Sequence, residues 1–234
     1  MTDDISTRTQ LMIGEEGVEK LRNSSVIVCG CGAVGGYVIE GLVRAGVGKL
    51  RVVDGDVFSG SNLNRQILCT TETVGRKKSE VACERARLIN PDIDIEGMDL
   101  FVTRETVPSI LEGEWDVLVD AIDTIGNKSE LLKEACGRSV KIFSSMGAAR
   151  HFDAAAIRIA PLKKTSVCPM AARLRKDLRD IDTDNITCVY SVETPIETPS
   201  GRDEHGKSII GSLPTIPAIF GMTLANETVK YLLR

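Results

Sequence analysis

Short apolar runs alternate with segments of helical spacing over residues 25–145, and the first unit is the clearest. Residues 26–29 (VIVC) are continuously apolar, a glycine-rich turn follows, Tyr37, Val38, Leu42 and Val43 recur at helical spacing, and residues 50–53 (LRVV) are a second, mostly apolar run that ends in acid at Asp54. This predicts strand, turn, helix, strand. Before Ser24 the chain reads as an amphipathic lead-in, with Leu11, Ile13, Val18 and Leu21 as buried positions and Gly14 as a break. Residues 77–90 read as a helix stopped by Pro91, residues 93–102 alternate like a strand, and residues 103–112 suit a short helix. The run DVLVDAID at 116–123 has the apolar character of a strand buried on both faces and ends in a carboxylate; a helix at 128–138 and a strand at 140–144 follow.

Such alternation predicts an α/β fold, a doubly wound and mostly parallel sheet. After Gly147 the pattern changes to a strand at 156–159, a basic helix at 170–179 and a strand at 187–192, read as antiparallel edge strands added in the C-terminal half. Residues 194–211, rich in Pro, Gly, Ser and charge, form a loop, and residues 214–233 close the chain as an apolar helix. There is no internal repeat. The 234 residues fit one domain, 1–234, with a nucleotide-binding half of about 1–145 and a substrate and dimer half of about 146–234.

A formal charge of −4 excludes a generally basic protein that coats nucleic acid, but leaves room for a regional basic patch. The start, MTDDISTRTQ, lacks the pattern of a secretion signal, and no apolar run approaches the ~20 residues that span a bilayer. The expectation is a cytoplasmic protein without a membrane partner. Seven cysteines are an odd number, and none forms a CxxC pair, so they read as reduced thiols rather than a zinc site. Cys29 and Cys31 read as small packing residues.

The candidate chemistry begins at Gly30, Gly32 and Gly35, whose spacing supplies a tight turn, close approach of backbone N–H groups to phosphate, and close helix packing. Asp54 is placed to accept from a ribose. Alone, this fits a dehydrogenase, a flavoprotein, a methyltransferase, an ATP user or a turn that binds nothing. Three further features narrow the choice: SNLNRQ with Asn62, Asn64, Arg65 and Gln66, then Lys78 at a helix start, then Asp123 at a strand end. Two cations beside a phosphate turn are redundant for hydride transfer but suit a triphosphate under attack, with Asp123 holding magnesium. Each also has a plain structural reading: Arg65 as a surface cation, Lys78 as a helix-face charge, Asp123 as a helix cap.

In order, GCGAVG, DGD, SNLNRQ, VGRKK and DAID resemble the ThiF/MoeB/HesA adenylating enzymes, relatives of the ubiquitin-activating enzymes, over roughly residues 8–145. The resemblance implies a Rossmann-like fold and ATP-Mg chemistry, in which a carboxylate attacks the α-phosphate and pyrophosphate leaves. Gly32 and neighbouring amides would hold phosphate and Asp54 the ribose. Asn62, Arg65 and Lys78 would touch the polyphosphate and Asp123 the metal, while Asp56, Asn64 and Gln66 join the nucleotide-binding set. It also implies a homodimer, with Arg8 crossing to the neighbouring subunit's ATP and apolar residues of 216–233 supplying the interface.

The second half, KKTSVCPMAARLRKDLR followed by CVYSVE, resembles the TcdA (CsdL) branch through Lys164, Thr165, Pro169, Ala172, Leu174, Arg175, Leu178, Cys188, Val189, Tyr190, Ser191 and Glu193. That branch comprises tRNA threonylcarbamoyladenosine dehydratases, which implies ATP-dependent ring closure on a modified base. The basic stretch containing Lys164, Arg173 and Arg175 would hold tRNA phosphates; its alternative is a solvated helix face. SSMGAARHFD departs from the branch by keeping only Gly147 of a glycine-rich turn, Cys188 reads as packing, and His151 and His205 stand too isolated for a base or a metal site. The rival readings are an adenylyltransferase activating the C-terminus of a ubiquitin-like sulfur carrier, whose usual zinc pairs are missing here, and a non-catalytic nucleotide-binding module.

Overall fold

The computed structural model describes residues 4–199, 201–202 and 208–234. Helix α1 (Thr7–Arg22) leads into β1 (Ser25–Cys29), α2 (Gly35–Ala45), β2 (Lys49–Val53), α3 (Lys78–Ile89), β3 (Asp94–Met98), α4 (Val107–Ile110), β4 (Val117–Asp120), α5 (Ile125–Cys136) and β5 (Lys141–Ser145). Then come β6 (Ile157–Pro161), α6 (Pro169–Asp177), β7 (Ile186–Ser191), a two-residue pair β8 (Gly201–Arg202) and β9 (Ser208–Ile209), and α7 (Thr215–Leu232). His205 lies outside the described residues.

The main sheet has the order β3-β2-β1-β4-β5-β7-β6. All neighbours are parallel except β6 and β7, with Ile157 opposite Ser191. The antiparallel addition is thus the edge strand β6; β7 joins β5 in parallel and extends the nucleotide-type sheet by one strand. Along β1, Val26 and Val28 enter one apolar core with Leu42, Leu50, Val119 and Phe220. Ile27 and Cys29 enter the other with Leu118, Leu131, Ile142 and Cys188. A strand with a core on each side must be apolar at every position, which explains the continuous runs. Cys29 lies opposite both Val53 and Asp120, so the chain order reverses across β1 and β4, where open α/β sheets bind ligands beyond the strand ends.

Several sequence expectations need adjustment. Gly14 has φ 75°, a left-handed conformation suited to glycine, and kinks α1. Leu21 is buried, but Leu11, expected inside, is 70% exposed, because the kink turns the first half of α1 off the helical register of the second. The strand expected over 93–102 covers only Asp94–Met98, and the one expected over 116–123 stops at Asp120, leaving Asp123 in the loop before α5. Among the described residues no helix is long and apolar enough to cross a membrane.

Candidate active site

The site is built on the turn after β1. Gly30 (φ 96°) donates its N–H to Val53 O at 2.8 Å, and a Cβ there would lie 2.8 Å from Ala121 O. A Cβ on Gly35 would meet Gly30 O at 1.7 Å, so the helix start can approach the strand end only without a side chain. Asp54 locks this turn to the next one: its Oδ2 accepts from Cys31 N at 2.7 Å and its Oδ1 from Asp56 N at 2.9 Å. Burial pushes the Asp54 carboxyl above its ordinary value, against Lys78 and the two N–H groups, which pull it down. Gly32, by contrast, faces open space apart from the Gln66 amide, about 3.9 Å from where its Cβ would be. The buried Gln66 Oε1 has no hydrogen-bond partner among the described residues. An unsatisfied buried polar atom beside an open glycine turn fits a bound nucleotide.

The basic residues gather on the same edge. Lys78 opens α3 and is only 6% exposed; its Nζ donates to Asp56 Oδ2 at 2.8 Å and sits 5.8 Å from the Phe58 ring centre. Asn62 is a structural member of the loop, its Oδ1 accepting from Ser59 N at 3.1 Å within a single 3₁₀ turn. Arg65 is folded back on that turn, donating to Ser61 O and Asn64 Oδ1, both at 2.9 Å. Asn64 Nδ2 donates to Ser212 O at 3.0 Å, tying this loop to the segment before the C-terminal helix. Asp123 is exposed and, among the described residues, accepts from Thr124 Oγ1 at 3.3 Å; Thr124, not Asp123, is the N-terminal boundary residue of α5. Arg8 is exposed in the first turn of α1 and makes no ion pair among the described residues.

Sequence reasoning missed the pair beneath this edge. Asp120 and Lys128 are both fully buried, with Lys128 Nζ donating to Asp120 Oδ2 at 2.5 Å and to Ser145 O at 3.0 Å, and Ser144 Oγ donating to the same carboxylate oxygen at 2.6 Å. The available signal was a carboxylate ending an apolar strand and a lysine in the middle of the following helix.

The turn after β5 flanks the same edge. Arg150 has φ 62°, a conformation that costs a non-glycine residue about 1–2 kcal/mol. Its N–H donates to Gly211 O at 3.1 Å and its carbonyl accepts from Ile196 N at 2.8 Å. His151 is buried with Nδ1 at 3.7 Å from Glu193 Oε2; burial pushes the imidazole below its ordinary pKa, outweighing Glu193 and the Gly147 carbonyl. Glu193 accepts at 2.9 Å from both Phe152 N and Asp153 N, and these bonds hold its carboxyl below the usual range.

The basic stretch is not one open patch. Arg175 donates to Thr165 O at 2.9 Å and to Thr165 Oγ1, tying α6 to the segment before it. Arg173 pairs with Asp177 at 2.9 Å, Lys163 with Asp184 at 2.8 Å and Arg179 with Asp180 at 3.2 Å; Lys164 is exposed. Cys188 is fully buried, and burial pushes its thiol up to about 12, so it stays protonated and unreactive at neutral pH.

Residues 7–234 match the ThiF family. The chain belongs to the ThiF family. It is 34% identical over 239 residues to the tRNA threonylcarbamoyladenosine dehydratase of Bacillus subtilis (strain 168), covering 97% of this chain and 94% of that protein. It is 43% identical over 111 residues to the sulfur carrier protein adenylyltransferase of Thermus thermophilus, covering 47% of this chain and 41% of that protein. The solved E. coli tRNA N6-threonylcarbamoyladenosine dehydratase, TcdA, in complex with ATP superposes with a TM-score of 0.87 at 27% identity, covering 96% of this chain and 92% of that one. The chain is a ThiF-family adenylating enzyme, and the ATP-bound structure is similar along nearly its whole length.

Proposed function

We propose that this chain is an ATP-dependent tRNA threonylcarbamoyladenosine dehydratase. The observation that carries the reading is coverage: similarity to the B. subtilis dehydratase runs over 97% of the chain, including the half after the nucleotide turn, whereas similarity to the sulfur carrier adenylyltransferase spans 47%. In this reading residues 1–145 handle ATP and residues 146–234 the acyl substrate and a subunit contact.

The substrate carboxylate attacks the α-phosphate and pyrophosphate leaves. The carbamoyl nitrogen of the same base then attacks the acyl carbon, loses its proton, and AMP departs carrying the former carboxylate oxygen. Amides of the 30–35 turn hold phosphate, Asp54 orients the ribose, and Lys78 and Arg65 stabilise charge that grows on the phosphates. Asp56, whose Oδ2 accepts from Lys78 Nζ at 2.8 Å, keeps the lysine aimed before ATP arrives. A magnesium ion, which the exposed Asp123 carboxylate would help hold beside the phosphates, would neutralise further charge on the triphosphate.

ATP–pyrophosphate exchange and ring closure, read as loss of one water from the modified nucleoside, test the reading. The expected result is exchange and closure with tRNA bearing threonylcarbamoyladenosine, abolished by EDTA. Exchange with a glycine-terminated sulfur carrier, and none with tRNA, would establish the adenylyltransferase instead.

The protein works as a homodimer in this reading, Arg8 completing the neighbouring subunit's site. Arg8→Ala and Lys78→Met subunits, each inactive alone, regain part of their activity when mixed, because one site of the heterodimer keeps both residues. A monomer by light scattering, or unchanged turnover of Arg8→Ala, excludes that arrangement.

A further inference from the structure

We propose that the turn at residues 150–152 is the RNA-docking element of this site, with Phe152 a stacking platform for an unpaired base and Arg150 a contact to an adjoining phosphate. The inference rests on the tRNA reading above and adds the residues that would recognise the RNA strand.

Its position is set by two consecutive carbonyls. Arg150 N–H donates to Gly211 O at 3.1 Å, and Asn64 Nδ2 donates to Ser212 O at 3.0 Å, so the turn abuts the loop that carries Arg65. The turn is held firmly. His151, between the two outward residues, is buried, Glu193 accepts from Phe152 N and Asp153 N, and Ile196 N–H bonds Arg150 O.

Neither outward side chain serves the fold. Phe152 is 70% exposed and stacks on no other described ring. The Arg150 guanidinium has no hydrogen-bond or ion-pair partner among the described residues, yet the residue keeps a φ of 62° that glycine would adopt without strain. An exposed ring beside an unpaired guanidinium on a rigid turn is the chemistry that binds single-stranded RNA: bases stack on aromatic faces and arginine meets phosphate. A peptide C-terminus offers no base for the ring. Arg173 and Arg175 of α6 are poorer alternatives, since Arg173 is paired with Asp177 and Arg175 is tied to Thr165.

The test is steady-state dehydration of tRNA bearing threonylcarbamoyladenosine, with KM and kcat measured separately for tRNA and ATP. Wild-type turnover is measured first; its absence overturns the tRNA reading and this inference with it, before any variant is needed. Given turnover, Phe152→Ala is expected to raise the tRNA KM by about tenfold to a hundredfold while the ATP KM changes less than about twofold, and Phe152→Tyr to restore it. Arg150→Gly is expected to keep or raise the melting temperature, raise the tRNA KM and lower the slope of log affinity against log salt by about one. Wild-type turnover with an unchanged tRNA KM in both Phe152→Ala and Arg150→Gly overturns the inference alone. So does a parallel loss of ATP affinity, or an effect of Phe152→Ala on exchange driven by a carrier peptide in place of RNA.

Discussion

Lys128→Met is expected to lower the unfolding free energy by about 3–5 kcal/mol. Asp120 and Lys128 have no solvent exposure, and the carboxylate ends β4 at the centre of the sheet. Removing the ammonium leaves a buried negative charge whose remaining donors among the described residues are Ser144 Oγ at 2.6 Å and the Ile122 N–H at 3.1 Å. Those neutral donors do not replace a counter-charge at 2.5 Å. The double variant Asp120→Asn with Lys128→Met should recover more than half of the loss, because an uncharged pair of similar volume no longer requires desolvation of an ion. Urea unfolding of both variants checks this, and a single-variant loss below about 1 kcal/mol would contradict it. The consequence reaches the site, since Asp123 is three residues beyond Asp120 on the same strand exit.

The second large effect concerns rate. Arg65→Ala, Lys78→Met and Asp123→Ala should each reduce adenylation, measured by ATP–pyrophosphate exchange, by about 10²–10³-fold, the usual loss when one preorganised charge is removed from a developing anion. Folding should survive. Asp123 is exposed and Arg65 partly so, and surface changes of this kind lie within about 0.5 kcal/mol. Lys78 is buried, but its partner Asp56 is 45% exposed in its side chain and can regain water. Arg65 bonds its own loop through Ser61 O and Asn64 Oδ1, so its guanidinium must turn away from them to reach phosphate. Arg65→Lys, with one charge and no fork, should therefore recover only part of the rate. Near-normal exchange in all three variants would remove them from the chemistry.

Features that depend on near neighbours in the chain are legible from the amino-acid order. Continuous apolar runs mark β1 and β4 at the centre of the sheet because strands covered on both faces need apolar residues throughout. The spacing of Gly30, Gly32 and Gly35 is legible because Gly30 and Gly35 sit where a side chain would strike Ala121 O or Gly30 O. The segments carrying Arg65, Lys78 and Asp123 follow strand ends, which parallel topology gathers on one edge, so their common location was legible in the sequence. What only the tertiary structure decided depends on partners distant in the chain. Asn64 meets Ser212 across 148 positions. The basic look of residues 163–179 gave no sign that Arg175 is tied to Thr165 or that Asp184 lies against Lys163. Leu11 reads as buried by spacing, yet the backbone at Gly14 turns it outward. Asp120 looks like any acidic strand end until α5 lays Lys128 on it, because a side chain's charge environment is set by what folds against it and not by its neighbours in sequence.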